Sequence, residues 1–141
     1  MTKVAEVMTR DVQVIAAHDT IQRAAELMDE LNVGALPVCD GERVKGIVTD
    51  RDIVTRAVSI GKELSSQVHE VASEPVEWCF EDDQLEAVIQ RMEKLQVRRM
   101  PVVDNEKRLV GMLALGDIAT WSDGEVSSTI GAISTPSAPD R

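Results

Sequence analysis

Thr49, Asp50, Arg51 and Asp52 place a hydroxyl, two carboxylates and a guanidinium in consecutive positions. They follow Gly46 and the apolar pair Ile47-Val48, and run on into Ile53. The stretch reads as a strand feeding straight into a helix N-terminus, with Thr49 at the join. Two chemistries suit such a join. A helix start offers unpaired backbone N–H groups and the positive end of a dipole, so it can hold an anionic ligand. Thr-x-x-Asp is equally a capping box, Thr49 bonding the N–H of Asp52 and Asp52 returning to that of Thr49. Both readings stay open on the pattern alone.

Catalytic chemistry is poorly served elsewhere. No nucleophile has a base at plausible spacing, and no Gly-rich phosphate loop appears, so the chain is expected not to be an enzyme. Cys39 and Cys79 form neither a disulfide framework nor a metal motif, and their apolar surroundings predict buried free thiols. His18 and His69 lack ligand-spaced partners, and no metal site is expected. With 25 acids against 15 bases the net charge is −10. Such a chain is repelled by phosphate backbones, which argues against nucleic acid as a partner. No apolar run approaches the roughly 20 residues of a membrane span, and the N-terminus lacks a signal-peptide core. A soluble, cytoplasmic protein is expected.

The elements that position the join are written twice. Shifting the chain by 64 positions lays Val4 on Val68, Glu6 on Glu70, Asp19 on Asp83, Met28 on Met92 and Pro37-Val38 on Pro101-Val102. Residues 2–40 give 11 identities in 39 pairs. With one inserted residue, Gly46 meets Gly111, Asp52 meets Asp117 and Ile53 meets Ile118. Each copy opens on a short helical lead-in, Val4 to Met8 in the first. A β-branched run, Val12 to Ile15, predicts a strand. Asp19 with Gln22, and Asp83 with Glu86, predict capping boxes at the next helix. Its apolar stripe is Ile21, Ala24, Ala25, Met28 and Leu31 in copy one, and Leu85, Val88, Ile89, Met92 and Leu95 in copy two. Two strands joined by a tight turn follow: Leu36 to Cys39 and Arg43 to Val48 across Asp40-Gly41, then Met100 to Val103 and Leu109 to Leu113 across Asp104-Asn105. Pro37 and Pro101 each remove a ladder donor, which predicts a strand start or an edge. A second helix closes each copy, Asp50 to about Ile60 and Leu115 to about Trp121.

The fold class is therefore α/β (α+β by some schemes), built of two β-α-β-β-α repeats over residues 1–61 and 62–121. One copy would be marginal alone. Packing the two sheet to sheet, with pseudo-two-fold symmetry and two equivalent clefts, would bury both. A short helix over 122–134 and a loose Pro/Ser-rich tail over 135–141 complete the expectation. One Phe, no Tyr and two Trp leave the interior to aliphatic side chains.

The duplicate, the apolar-Pro-Val hairpins and the strand ending GIVTDRDI together resemble the CBS domain, and two copies resemble a CBS pair, or Bateman module. The resemblance spans about residues 2–121. It implies a non-catalytic regulatory module, including roles in stress response, that binds an adenosine-containing ligand such as AMP, ADP or ATP. S-adenosylmethionine, NAD or a cyclic dinucleotide are the alternatives. No cofactor is required, and Mg enters only if ATP is bound. In the family pattern of Gly, two apolar residues, Thr or Ser, two further residues and Asp, the carboxylate accepts from ribose hydroxyls and the hydroxyl contacts ribose or phosphate. Carried over, these are Asp52 and Thr49, with Asp50 beside them and Arg51 available to phosphate. Gly34, Ala35, Leu36 and Pro37 would serve the adenine edge, and Gln13 and Val14 the apolar wall.

Copy two departs from the pattern. GMLALGDI keeps Asp117 but has Ala114 in place of Thr49 and Gly116 in place of Arg51. Losing the hydroxyl predicts a weaker site and a less ordered helix start. Arg98 and Arg99 before Met100-Pro101 add two cations there, for phosphate or for neighbouring acids. Glu77 and Trp78 take the places of Gln13 and Val14. The resemblance further implies a homodimer acting on an unknown regulated protein. A constitutive dimeric interaction protein with empty clefts is the competing reading.

Overall fold

The structure, a computed structural model, describes residues 1–74 and 77–121. The chain forms two compact units, and each is built on a three-stranded sheet. One unit is contiguous, from Gln13 to the end of the first described stretch. It carries β1 (Ile15–Ala16), α1 (Ile21–Leu31), β2 (Ala35–Asp40), β3 (Arg43–Thr49) and α2 (Asp50–Arg56), then 3-10 turns at Val58–Ile60 and Val68–Glu70. The other runs from Glu77 onward with β4 (Cys79–Phe80), α3 (Leu85–Leu95), β5 (Arg99–Val103), β6 (Leu109–Ala114) and α4 (Leu115–Trp121). It also takes Met1–Val12, whose 3-10 turn is Val4–Glu6. The expected terminal helix over 122–134 and the tail over 135–141 lie outside the described residues.

The lead-ins are thus exchanged in the chain. Val4 N–H donates to Asp83 O, Ala5 N–H to Glu81 O and Leu85 N–H to Thr2 O, all near 3 Å. Val4 and Met8 join Cys79, Leu85, Met92 and Leu113 in one apolar cluster. The counterpart segment serves the first sheet: Val68 N–H donates to Asp19 O at 2.7 Å, and Val68, Val71 and Ala72 pack with Ile15, Ile21 and Val48. Burying aliphatic side chains of this size contributes about 1.5–3 kcal/mol each.

Several local expectations are corrected. The first strand is Ile15–Ala16 rather than Val12 to Ile15, because only these residues meet a partner, pairing parallel with Val38 and Cys39. Asp19 and Asp83 do not cap. Their carboxylates accept from Ala16 N–H at 3.1 Å and Phe80 N–H at 2.9 Å, folding the strand back before the helix. Thr20 becomes the cap of α1, accepting from Arg23 N–H at 3.0 Å. On α1 the inward face is Ile21, Ala24 and Met28 with Leu27 beside them, while Ala25 and Leu31 are exposed. On α3, Leu85, Val88, Ile89 and Met92 are buried as expected and Leu95 is not. Both helices end on a left-handed residue, Asn32 or Gln96, whose neighbour reaches back to the Met28 or Met92 carbonyl.

Pro37 and Pro101 lie inside middle strands, with order β1-β2-β3 and β4-β5-β6. The lost donor costs nothing there because β1 and β4 begin pairing only one residue later, at Val38 and Val102. Both middle strands shift register immediately afterwards, at Val38/Cys39 and Val102/Val103. The copy-one hairpin turns through Gly41 at φ +64°, where a side chain would be strained. The copy-two turn is longer than Asp104-Asn105. Asp104 accepts from the Glu106 and Arg108 N–H groups, each at 2.9 Å, and Lys107 takes the positive φ. The Arg108 N–H, aided by that of Glu106 and by the Arg108 guanidinium, holds the Asp104 carboxyl below its usual range. The second helix of copy one ends at Arg56, and a 3-10 turn carries the chain to Ile60.

Candidate functional site: two strand-to-helix joins

At the first join Thr49 is the N-cap of α2 in extended conformation. Its Oγ1 accepts from Asp52 N–H at 3.0 Å, and Asp52 Oδ2 accepts from Thr49 N–H at 3.0 Å. The capping box is therefore made in full, and it sets the Asp52 carboxylate in one orientation. The Asp52 side chain is 13% exposed, and its other oxygen, Oδ1, lies 3.9 Å from Arg56 Nε. Arg56 also reaches the Val71 carbonyl, at 3.5 Å.

Neighbouring candidates fall on the same unit. Asp50 N–H donates to Gly34 O at 2.9 Å, tying the start of α2 to the chain entering β2. Asp50 Oδ1 accepts from Arg51 N–H at 2.8 Å, and the Arg51 side chain is exposed. Ala35 pairs with Thr49, Leu36 with Val48 and Pro37 with Ile47, so the hairpin brings these backbones beside the join. Gly34 and Pro37 are buried, Ala35 is half-buried, and the Leu36 side chain belongs to the apolar core. Gln13 and Val14 precede β1 and are exposed.

The second join has the same frame and different fittings. Leu115 N–H donates to Arg98 O at 3.0 Å, as Asp50 does to Gly34. Arg99 pairs with Ala114, Met100 with Leu113 and Pro101 with Met112. Arg98 and Arg99 are half-buried. Glu77 is exposed, and its carboxylate lies 3.4 Å from Arg91, which also donates to the Trp78 carbonyl at 3.0 Å. Ala114 has no side-chain oxygen to accept from the Asp117 N–H, so only the reciprocal half of the capping box remains. Ala114 N–H still donates to Asp117 Oδ2, at 3.1 Å. A hydroxyl is present too, but it comes from Thr9, whose Oγ1 donates to Asp117 Oδ1 at 2.9 Å. Sequence reasoning missed Thr9 because 108 positions separate it from Asp117.

Gly46 and Gly111 explain how the lead-ins reach the joins. Thr9 and Met112 exchange two backbone hydrogen bonds of 2.9 Å, and Ile47 and Ser73 do the same at 2.9 and 3.3 Å. A Cβ on Gly111 would sit 2.6 Å from Thr9 O, and one on Gly46 would sit 2.5 Å from Ser73 O. These glycines make room for the incoming strap rather than for a turn.

The two cysteines take no part in either join. Burial pushes the Cys39 thiol up to about 11, and burial with the nearby Asp83 charge pushes Cys79 up to about 12. Among the described residues no cluster of three or more His, Cys, Asp or Glu could hold a metal ion, and no helix is long and apolar enough to cross a membrane.

The CBS domain family model matches twice, over residues 4–59 and 68–124. The chain belongs to the CBS domain family. Its repeats form a tandem CBS pair, which makes it a regulatory rather than a catalytic module. CBS domain-containing protein YhcV of Bacillus subtilis is 41% identical over 119 residues, covering 84% of each chain. The crystal structure of Hypoxic Response Protein I, which holds two coordinated zinc ions, superposes with a TM-score of 0.77 at 34% identity, over 84% of this chain and 98% of that one. The CBS pair also shares its fold with CBSX2, solved in complex with AMP, at TM-score 0.74 and 24% identity over 86% and 96% of the two chains.

Proposed function

We propose that this CBS pair is a ligand-sensing regulatory module that binds an adenosine-containing nucleotide of the AMP, ADP or ATP type, chiefly at the Asp52 join. The observation that carries the reading is the state of the Asp52 carboxylate. One oxygen is engaged by the cap, which aims the group, and the other meets, among the described residues, only a cation at 3.9 Å. A fixed acceptor beside hairpin backbone is what a ribose diol and an adenine edge require. Arg51, exposed on the first turn of α2, would meet the phosphate in this reading. That a protein of this fold was solved with AMP supports adenosine as the first ligand to try. Binding regulates a partner only if the ligand prefers one of two states of the module.

The test is calorimetric titration of the pure protein with AMP, ATP and S-adenosylmethionine. Saturable binding of at least one is expected. No binding tighter than about 1 mM for any of them would remove the reading.

A second reading rests on a different observation. Val54 on α2, Val58 and Ile60 on the 3-10 turn after it, and Leu64 beyond that turn are 47–69% exposed. In this reading the module is a homodimer joined through these side chains, and the dimer rather than the ligand is what a partner protein recognises. A dimer in sedimentation that ignores every nucleotide favours it over the first reading.

A further inference from the structure

Asp52 and Asp117 occupy equivalent positions, and each gives one oxygen to the backbone N–H at its own cap. They differ in the second oxygen. Asp117 Oδ1 receives the Thr9 hydroxyl at 2.9 Å, within hydrogen-bond distance. Asp52 Oδ1 receives no hydroxyl among the described residues, and Arg56 stands 3.9 Å away. Ser73 is the repeat-equivalent of Thr9 and makes the same backbone exchange, with Ile47, but its side chain does not reach Asp52.

Thr9 is also held in place. Two backbone hydrogen bonds to Met112 fasten it to the edge of β6, and Gly111 admits the strap without a Cβ in the way. Val4 and Met8, just upstream, are anchored in the apolar cluster. The hydroxyl is therefore delivered to the carboxylate with little further ordering, and a charge-assisted hydrogen bond of this kind is among the stronger ones.

We propose that Thr9 is an internal stand-in for a ligand hydroxyl, which occupies Asp117 and keeps a vicinal diol from pairing with that carboxylate. The inference rests on the reading that the joins accept the ribose of an adenosine nucleotide, and it states which join does so. A diol donates to a carboxylate through two hydroxyls. At Asp117 one oxygen already serves Ala114 and the other serves Thr9, so an entering ribose competes with the lead-in hydroxyl for Oδ1. Selectivity between the two joins is then set by a side chain from the far end of the sequence as well as by the change from Thr49 to Ala114.

The experiment titrates AMP into the full chain as wild type, Thr9→Ser, Thr9→Val and Thr9→Val/Asp117→Ala, with thermal unfolding as a check on each fold. Thr9→Val removes the hydroxyl and preserves the side-chain shape and the backbone exchange with Met112. Wild type and Thr9→Ser are expected to bind one AMP per chain. Thr9→Val is expected to bind a second, tightened by about tenfold or more, the value of one hydrogen bond to a charged group. Thr9→Val/Asp117→Ala returns to one. A Thr9→Val protein that still binds one AMP, or loses affinity, overturns the inference and leaves the adenosine reading standing. Absence of AMP binding in every variant, wild type included, removes the adenosine reading and this inference with it.

Discussion

Asp52 and Asp117 carry one job in two settings, and their difference is measurable residue by residue. Asp52→Ala is expected to weaken AMP binding about tenfold or more, since it deletes an oriented, charged acceptor. Asp117→Ala is expected to leave the tighter site unchanged, because Thr9 already occupies that carboxylate. Equal effects in calorimetry would contradict the asymmetry. Asp117 was legible from the repeat alone, whereas its partner was not. The cysteines give a second residue-scale expectation. Burial holds Cys39 at about 11 and Cys79 at about 12, against 9.0 for the exposed thiol. Below pH 9 both thiols are neutral in folded and unfolded chains, so their burial is not opposed. As pH rises from 9 toward 11 the unfolded chain ionises first, and stability falls. Urea midpoints are expected to decline across that window, and to decline less in Cys39→Val. A midpoint equally pH-dependent in both proteins would show that the thiol is not responsible.

At the scale of elements, the strap and the β3 or β6 edge depend on each other. Gly46→Ala would set a Cβ 2.5 Å from Ser73 O, and Gly111→Ala one 2.6 Å from Thr9 O, with backbone as the obstacle in each case. Each is expected to cost about 1–3 kcal/mol in urea unfolding, the range for forced overpacking. Gly116 offers the contrast. Nothing lies within 4 Å of its added Cβ, and it sits in the first turn of α4. Gly116→Ala is expected to stabilise by roughly 0.4–1 kcal/mol, because the unfolded chain loses freedom that the helix never used. If Gly46→Ala proved as harmless as Gly116→Ala, the close approach of the strap would be refuted. The α helices themselves follow from apolar spacing, but their starts do not. An acid three positions after a short strand can close the turn as well as cap the helix, and the pairing of Ile15 and Ala16 decides it in favour of the turn.

At the scale of the whole molecule, the exchange of lead-ins makes the N-terminus part of the second sheet's unit. Deleting residues 1–10 removes Val4 and Met8 from the cluster containing Cys79, Leu85 and Leu113. Trp78 and Trp121 are the chain's two tryptophans, and both lie in that unit. The deletion is therefore expected to move the tryptophan fluorescence transition to lower urea by a larger step than the loss of helical circular dichroism, which both units contribute. A tryptophan transition left in place would mean that the lead-in contributes little to its unit.

The sequence by itself determined the duplication, the β-α-β-β-α order of each copy, the family, and the paired acids at the two joins. These are readable because hydrophobic period, turn chemistry and repeat spacing are local properties of the chain. Only the tertiary structure decided which sheet each lead-in serves, why Pro37 and Pro101 are tolerated in middle strands, and that Thr9 meets Asp117. The reason is physical. Both lead-ins match each other in the 64-residue register, so the pattern is the same whether each packs on its own copy or on the other. Contacts across 108 positions are chosen by which edge is open and which apolar face needs covering, and those exist only once the sheets have formed.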